Sequence, residues 1–239
     1  MNSETNNISL RILITGGSSG IGEAVALEMA KNKHSFYLTG RNEDRLKAVC
    51  DSLASLGCKA YFGVGDVSDE EKVIHMLEDV KSKLGGVDVV FTNAGVGYFG
   101  NLEDLTIEQY DEQFNTNVKG VFIWLNKTLP LLKAQNKGQI IVTSSNLGLK
   151  TGARCSLYAA TKHAVQAMVW CLREELKGTG VKAATINPGS VDTPWFDGKD
   201  VDRSKMLAVE DVAKAVRFII YQDETSNIDH ILLMPGKTS

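Results

Sequence analysis

Tyr158 and Lys162 stand four residues apart in Tyr158-Ala159-Ala160-Thr161-Lys162. On a helix they share a face. An ammonium beside a phenol favours the phenolate and lowers its pKa, which makes the hydroxyl a proton donor or acceptor near neutral pH. Thirteen residues before Tyr158, the apolar run Gln139–Thr143 ends in Ser144-Ser145. A hydroxyl at that place can hydrogen-bond a substrate oxygen. The plain reading of Ser144 is a turn or cap hydroxyl. A third group does its chemistry through the backbone: Thr15-Gly16-Gly17-Ser18-Ser19-Gly20-Ile21-Gly22 follows an apolar run. Its glycines permit a tight turn and let N–H groups approach a pyrophosphate, at which the next helix aims its positive end.

The end of the second apolar run carries Gly40-Arg41. A dinucleotide site for NAD(H) wants an acid there, to bind the ribose 2′-OH. A guanidinium instead fits a 2′-phosphate, so Arg41 points to NADP(H) over NAD(H). The plain alternatives are a solvated cation at a helix start and a purely structural or flavodoxin-like glycine turn. Arg45 reads as solvated.

These residues need a scaffold, and the chain shows one. Short β-rich runs at Leu10–Thr15, Ser35–Gly40, Lys59–Val64, Asp88–Thr92, Gln139–Thr143, Val181–Ile186 and Ile228–Leu233 alternate with helical patterns. The helices are expected at Gly20–Lys31, Asn42–Leu56, Ser68–Leu84, Thr106–Lys133, Ser156–Lys177 and Val209–Tyr221. Ser68 with Glu71 reads as a capping box, and Pro130 as a stop or bend. Strict alternation implies right-handed crossovers and a parallel sheet covered on both faces. The fold class is therefore α/β, doubly wound, with seven strands. Such sheets bind at the carboxyl ends of their strands, which is where the glycine turn, Arg41 and Ser145 fall.

Composition narrows the partners. The chain has 239 residues, 43% hydrophobic and 23% charged, with a net charge of -3. That balance gives no reason to expect a nucleic-acid partner. No apolar run approaches the ~18 residues of a bilayer span. Met1–Ser9 reads as a flexible leader without signal-peptide features, and 10–239 as one domain. Cys50, Cys58, Cys155 and Cys171 form no CxxC pair and read as reduced thiols, which favours a cytoplasmic setting. His34, His75, His163 and His230 lack metal-ligand spacing, so no metal is expected.

Together these motifs resemble the short-chain dehydrogenase/reductase family over nearly the whole chain. The resemblance rests on Thr15–Gly22, Asn93-Ala94-Gly95, Asn117 ahead of Gly120, Ser145, the Tyr158–Lys162 pair and Pro188-Gly189-Ser190-Val191-Asp192-Thr193, in that order. It implies a Rossmann-like domain and hydride transfer between NADP(H) and a carbonyl or alcohol. It also implies roles. Tyr158 would be the general acid or base, and Ser145 would hold the substrate oxygen. Lys162 would bind the nicotinamide ribose and depress the Tyr158 pKa. Asn117 would support a water relay. Gly16, Ser18, Ser19, Gly20, Ile21 and Gly22 would cradle the pyrophosphate. Asp66 and Val67 would meet the adenine, and Asn93, Ala94 and Gly95 the adenosine ribose. Pro188, Gly189, Val191 and Thr193 would flank the nicotinamide. Two positions depart from the pattern: Ser19 replaces a basic residue of many NADP-using members, and Thr92 replaces an Asn.

Residues 194–207 resemble a substrate loop. Trp195 and Phe196 offer an apolar wall there, and Arg203 and Lys205 offer attraction to an anionic substrate. Tyr98, Phe99, Leu147, Lys150 and Arg154 are lesser candidates. The substrate is expected to be a ketone, aldehyde, 3-oxoacyl compound or hydroxy acid, the last because Ser226–Pro235 resembles hydroxy-acid and serine dehydrogenases. The resemblance also implies a homodimer or homotetramer built on the two long helices, with Ala164, Ala167, Met168, Trp170, Cys171 and Leu172 as an apolar surface. The competing function is a non-catalytic NADP(H)-binding redox-sensing regulator, against which the intact proton-transfer set argues.

Overall fold

A computed structural model describes residues 9–236. The expected leader, apart from Ser9, lies outside the described residues. Seven strands are present: β1 (Arg11–Thr15), β2 (Ser35–Gly40), β3 (Lys59–Val64), β4 (Val89–Thr92), β5 (Gly138–Thr143), β6 (Val181–Pro188) and β7 (His230–Leu233). They form one sheet in the order β3-β2-β1-β4-β5-β6-β7, parallel throughout. The order reverses between β1 and β4, where a doubly wound sheet opens its crevice.

Strand alternation divides the core. Ile12 and Ile14 face one side of the sheet and Leu13 the other, and all three are fully buried. The Ile12/Ile14 side packs on α1 (Gly20–Ala30), α2 (Glu43–Ser55) and α7 (Val209–Ile220), through Val25, Met29, Leu46, Val212 and Val216. The Leu13 side packs on α3 (Glu70–Leu84), α5 (Gly120–Gln135) and α6 (Ser156–Glu175), through Val73, Val80, Trp124, Val165 and Val169. Both faces are covered, which is why β4 and β5 carry continuous apolar runs. No helix among the described residues is long and apolar enough to cross a membrane.

Two expectations for the helices need correction. The first concerns the start of α3. Asp69 caps it by accepting from the Lys72 N–H, while Ser68 instead donates to Asp66. The two short acceptor side chains compete, and the aspartate one place later takes the cap. The second concerns the stretch 106–133, which is helical without a break, as expected, but passes from α to π and back. Helix α4 (Ile107–Phe114) begins with a Thr106/Gln109 capping box and runs through a π turn at Asn115–Lys119 into α5. Pro130 neither ends nor interrupts α5, which continues to Gln135. On α6, Leu172 is core, whereas Trp170 and Cys171 are exposed.

The edge of the sheet opposite the crevice is tied by one ion pair. Asp88 accepts from the Arg11 backbone N–H at 2.8 Å, from Nε at 2.9 Å and from Nη2 at 2.8 Å. Burial pushes the Asp88 carboxyl up, but the Arg11 hydrogen bonds outweigh it and leave the pKa lowered. Asp88→Ala is expected to cost about 1–3 kcal/mol in urea denaturation, because three donors lose their acceptor. A depressed carboxylate contributes stability above its unfolded pKa and loses it as pH falls through the folded value. The difference between wild type and Asp88→Ala should therefore shrink below about pH 4. A constant difference down to pH 2 would contradict this assignment.

Candidate active site

The carboxyl ends of the central strands open onto one cleft of about 600 Å³. At its floor lies the turn between β1 and α1. Gly16 and Gly20 take φ values of 64° and 58°, which other residues rarely adopt. A Cβ on Gly16 would come within 2.9 Å of the Ala94 Cα. Ser19 precedes α1 in an extended conformation and makes no side-chain cap bond. The first-turn N–H groups of α1 are thus left uncapped beside the cleft, an arrangement suited to an anion.

Asn93 binds the neighbouring strand ends together. Its backbone N–H donates to Thr15 Oγ1 at 2.9 Å, its Nδ2 donates to the Thr15 and Gly16 carbonyls at 3.3 Å, and its Oδ1 accepts from Thr143 Oγ1 at 3.1 Å. Arg41, at the end of β2, is 64% exposed at its side chain and lies 3.9 Å from Glu112. After β3, Asp66 accepts from the Ser68 N–H at 2.8 Å and its hydroxyl at 2.6 Å. Burial pushes this carboxyl up, but the Ser68 bonds and the nearby Arg41 prevail and hold it below the usual range.

Farther along the cleft, Tyr158 and Lys162 project from the first turns of α6. They are only 8% and 4% exposed. Lys162 Nζ donates to the Thr143 carbonyl at 2.9 Å and lies 5.6 Å from the centre of the Tyr158 ring. Burial lowers the Lys162 pKa to about 8. It also raises the Tyr158 pKa, against a smaller opposing effect of the Ser145 hydroxyl. Desolvation governs both groups, each disfavouring its charged form, and sets the net direction against which any charge effect of Lys162 on the phenol acts. Ser145 Oγ accepts from the Leu147 N–H at 3.1 Å and donates to Asn146 Oδ1 at 3.0 Å. Ser144 is buried and donates to the Lys162 carbonyl at 3.1 Å, the structural role expected of it.

A family model described as short chain dehydrogenase matches residues 11–203. An uncharacterized oxidoreductase of Staphylococcus epidermidis is 35% identical over 223 residues, covering 93% of this chain and 96% of that protein. The chain belongs to the short-chain dehydrogenase family. It is an oxidoreductase of that family. Two solved structures share its architecture. An alcohol dehydrogenase from the archaeon Thermococcus sibiricus, complexed with 5-hydroxy-NADP, has TM-score 0.91 and 30% identity, covering 97% of this chain and 99% of that one. A 3-ketoacyl-(acyl-carrier-protein) reductase from Brucella melitensis, complexed with NADH, has TM-score 0.89 and 25% identity, with 97% and 99% covered.

In this short-chain dehydrogenase nearly all the residues singled out from sequence meet at the cleft. Gly16, Ser18, Ser19, Gly20, Ile21, Arg41, Asp66, Val67, Asn93, Ala94, Gly95, Ser145, Tyr158, Lys162, Pro188, Gly189, Val191 and Thr193 all line it. Gly22 and Asn117 do not. Gly22 packs beneath the turn, where a Cβ would overlap the Gly16 carbonyl. Asn117, 1% exposed, sits in the π turn. It accepts from the Val96 N–H at 2.9 Å and donates to the Val96 carbonyl at 2.8 Å and to Thr161 Oγ1 at 3.1 Å. Its side chain ties the segment after Asn93-Ala94-Gly95 to α6.

The loop cations also depart from expectation. Arg203 pairs with Asp192, with Asp197 at 2.8 Å and with the Thr193 carbonyl at 3.3 Å. Lys205 faces Asp202 at 3.8 Å. Acids in the loop and just before it thus pair with both residues, and neither lines the cleft. Tyr98 donates to Glu112 and stands outside the cleft, as do Lys150 and Arg154, while Phe99 and Leu147 line it. Sequence reasoning missed Thr143, Asn146 and Cys155 as lining residues, and Gly97 beside them. Position carried the only signal: Thr143 ends a strand, Asn146 adjoins Ser145, and Cys155 precedes the helix of Tyr158.

Proposed function

We propose that this enzyme reduces a carbonyl, or oxidises the matching alcohol, with NADP(H) as the hydride carrier and Tyr158 as the acid or base. The observation that carries this reading is the convergence of Tyr158, Ser145 and Lys162 on the same cleft that the glycine turn and Arg41 line at its other end. The uncapped α1 terminus and the close Gly16–Ala94 approach fit a pyrophosphate, and the exposed guanidinium of Arg41 fits a 2′-phosphate. A bound nicotinamide supplies the hydride. Ser145 Oγ holds the substrate oxygen beside the phenol. Tyr158 Oη gives its proton to that oxygen in reduction and takes it back in oxidation. Lys162, held by the Thr143 carbonyl behind the phenol, keeps a positive charge where the phenolate forms. The competing regulator reading has no use for these buried proton-transfer groups.

The cofactor choice rests on Arg41, since the two structural relatives above were solved with an NADP derivative and with NADH. In steady-state assays on a ketone panel, NADPH is expected to outperform NADH. Arg41→Ala should cut kcat/KM for NADPH by about 10–100-fold, the worth of a charge-assisted hydrogen-bonded pair, and leave NADH within a few-fold. Equal losses with both cofactors would remove Arg41 from cofactor selection. No turnover with either, despite tight dinucleotide binding, would favour the regulator.

A further inference from the structure

The substrate end of the cleft is walled by rings. Phe99, Tyr158 and Trp195 pack together, with centroids 5.0 Å apart for Phe99–Tyr158, 5.7 Å for Tyr158–Trp195 and 6.1 Å for Phe99–Trp195. The Trp195 indole reaches in over Gly97, where a Cβ would overlap the ring. Glycine at that position is therefore what lets the indole come so close to the phenol.

The polar groups at this end are neutral, namely Ser145, Asn146 and the phenol itself. Of the cations near this end, only Lys162 lines the cleft. Arg203 pairs with Asp192 and Asp197, and Lys205 faces Asp202. Lys199 lies over the Trp195 and Phe196 rings, 5.4 and 5.5 Å from their centres, and does not line the cleft. Lys162 is committed to the Thr143 carbonyl behind the phenol. A carboxylate or phosphate entering here would lose its water and meet only the Lys162 ammonium, which lies behind the phenol and is already donating to the Thr143 carbonyl, and that is unfavourable. A flat apolar group would gain ring contact.

We infer that the site takes an uncharged carbonyl compound with a flat apolar or aromatic group beside the carbonyl, and that Trp195, seated over Gly97, selects it. This rests on the reading of Tyr158 and Ser145 as the reacting end. It sets aside the hydroxy-acid class that the C-terminal segment suggests.

The test uses two ketones that share the phenyl ketone and differ in carrying a neutral methyl ester or a carboxylate, methyl benzoylformate and benzoylformate, assayed with NADPH and with NADH. The ester should exceed the acid in kcat/KM by about 100-fold or more, as expected when a charge is buried without a free partner. Trp195→Ala should raise KM for the ester about tenfold, with kcat changed much less, because ring contact is lost and the proton donor is kept. Gly97→Ala should do the same by displacing the indole, and adding it to Trp195→Ala should change little more. Acid used as well as ester, or an unchanged ester KM in Trp195→Ala, overturns the inference. Should neither ketone be reduced, binding of benzamide and benzoate to the protein with oxidised dinucleotide decides: tighter benzamide supports it, and benzoate binding as tightly, or neither binding, overturns it. Failure of the underlying reading looks different, since Tyr158→Phe would then keep the wild-type rate.

Discussion

Tyr158→Phe is expected to lower kcat by about 10²–10⁴-fold, the usual worth of a positioned general acid, while dinucleotide binding stays close to wild type. The substitution removes one oxygen from a ring that is 8% exposed and packed between Phe99 and Trp195. The ring stays, so the wall of the cleft and the α6 packing stay with it. What disappears is the proton beside Ser145. Burial raises the pKa of this phenol, so in reduction it is protonated across the neutral range and stands ready as an acid. Alcohol oxidation needs the opposite state, and its rate should climb with pH through and beyond the neutral range. Stopped-flow or steady-state absorbance of the reduced nicotinamide measures both directions, and fluorescence titration measures binding. An unchanged kcat in the Phe protein would remove Tyr158 from the reaction.

The sequence made the scaffold legible because two signals agreed at every strand. Apolar runs such as Val89–Thr92 and Gln139–Thr143 are too short and too continuous for amphipathic helices, and helical patterns separate them. The cleft residues followed because an open parallel sheet gathers its strand ends at one edge. What escaped was set by contacts that motif spacing does not encode. The side-chain partners of Asn117, Val96 and Thr161, lie 21 and 44 residues away, and its own neighbourhood does not announce them. The loop cations Arg203 and Lys205 read as available to a substrate, whereas the fold sets Asp192, Asp197 and Asp202 beside them. Helix periodicity continues through a π turn with little change, so 106–133 read as one helix. The net direction of the Tyr158 pKa was not legible for a related reason: spacing reveals a neighbouring charge, whereas desolvation depends on rings brought in from residues 99 and 195.

Lys162→Met should lose activity by about 10²-fold or more, since the positive charge behind a forming phenolate is an electrostatic contribution that a thioether cannot replace. The same variant should reveal what that charge costs the fold. Burial lowers the Lys162 pKa from 10.5 to about 8, so at pH 7 the native state holds a desolvated ammonium that the unfolded chain keeps in water. Between pH 8 and 10.5 the unfolded chain binds a proton that the native chain does not, and the stability of the wild type therefore rises with pH. Lys162→Met lacks this contribution. Measured by urea denaturation of the ligand-free proteins, the wild type should gain on the variant by about 2–3 kcal/mol between pH 7 and pH 10, at about 1.4 kcal/mol per pH unit of proton difference. Tyr158 contributes in the opposite sense only above pH 10, where a phenol with a raised pKa keeps its proton in the native state alone. Stability curves that run parallel from pH 7 to 10 would mean that Lys162 titrates normally in the fold. An active-site lysine that is costly at neutral pH, and whose loss removes catalysis, is the pattern of a residue kept for its chemistry.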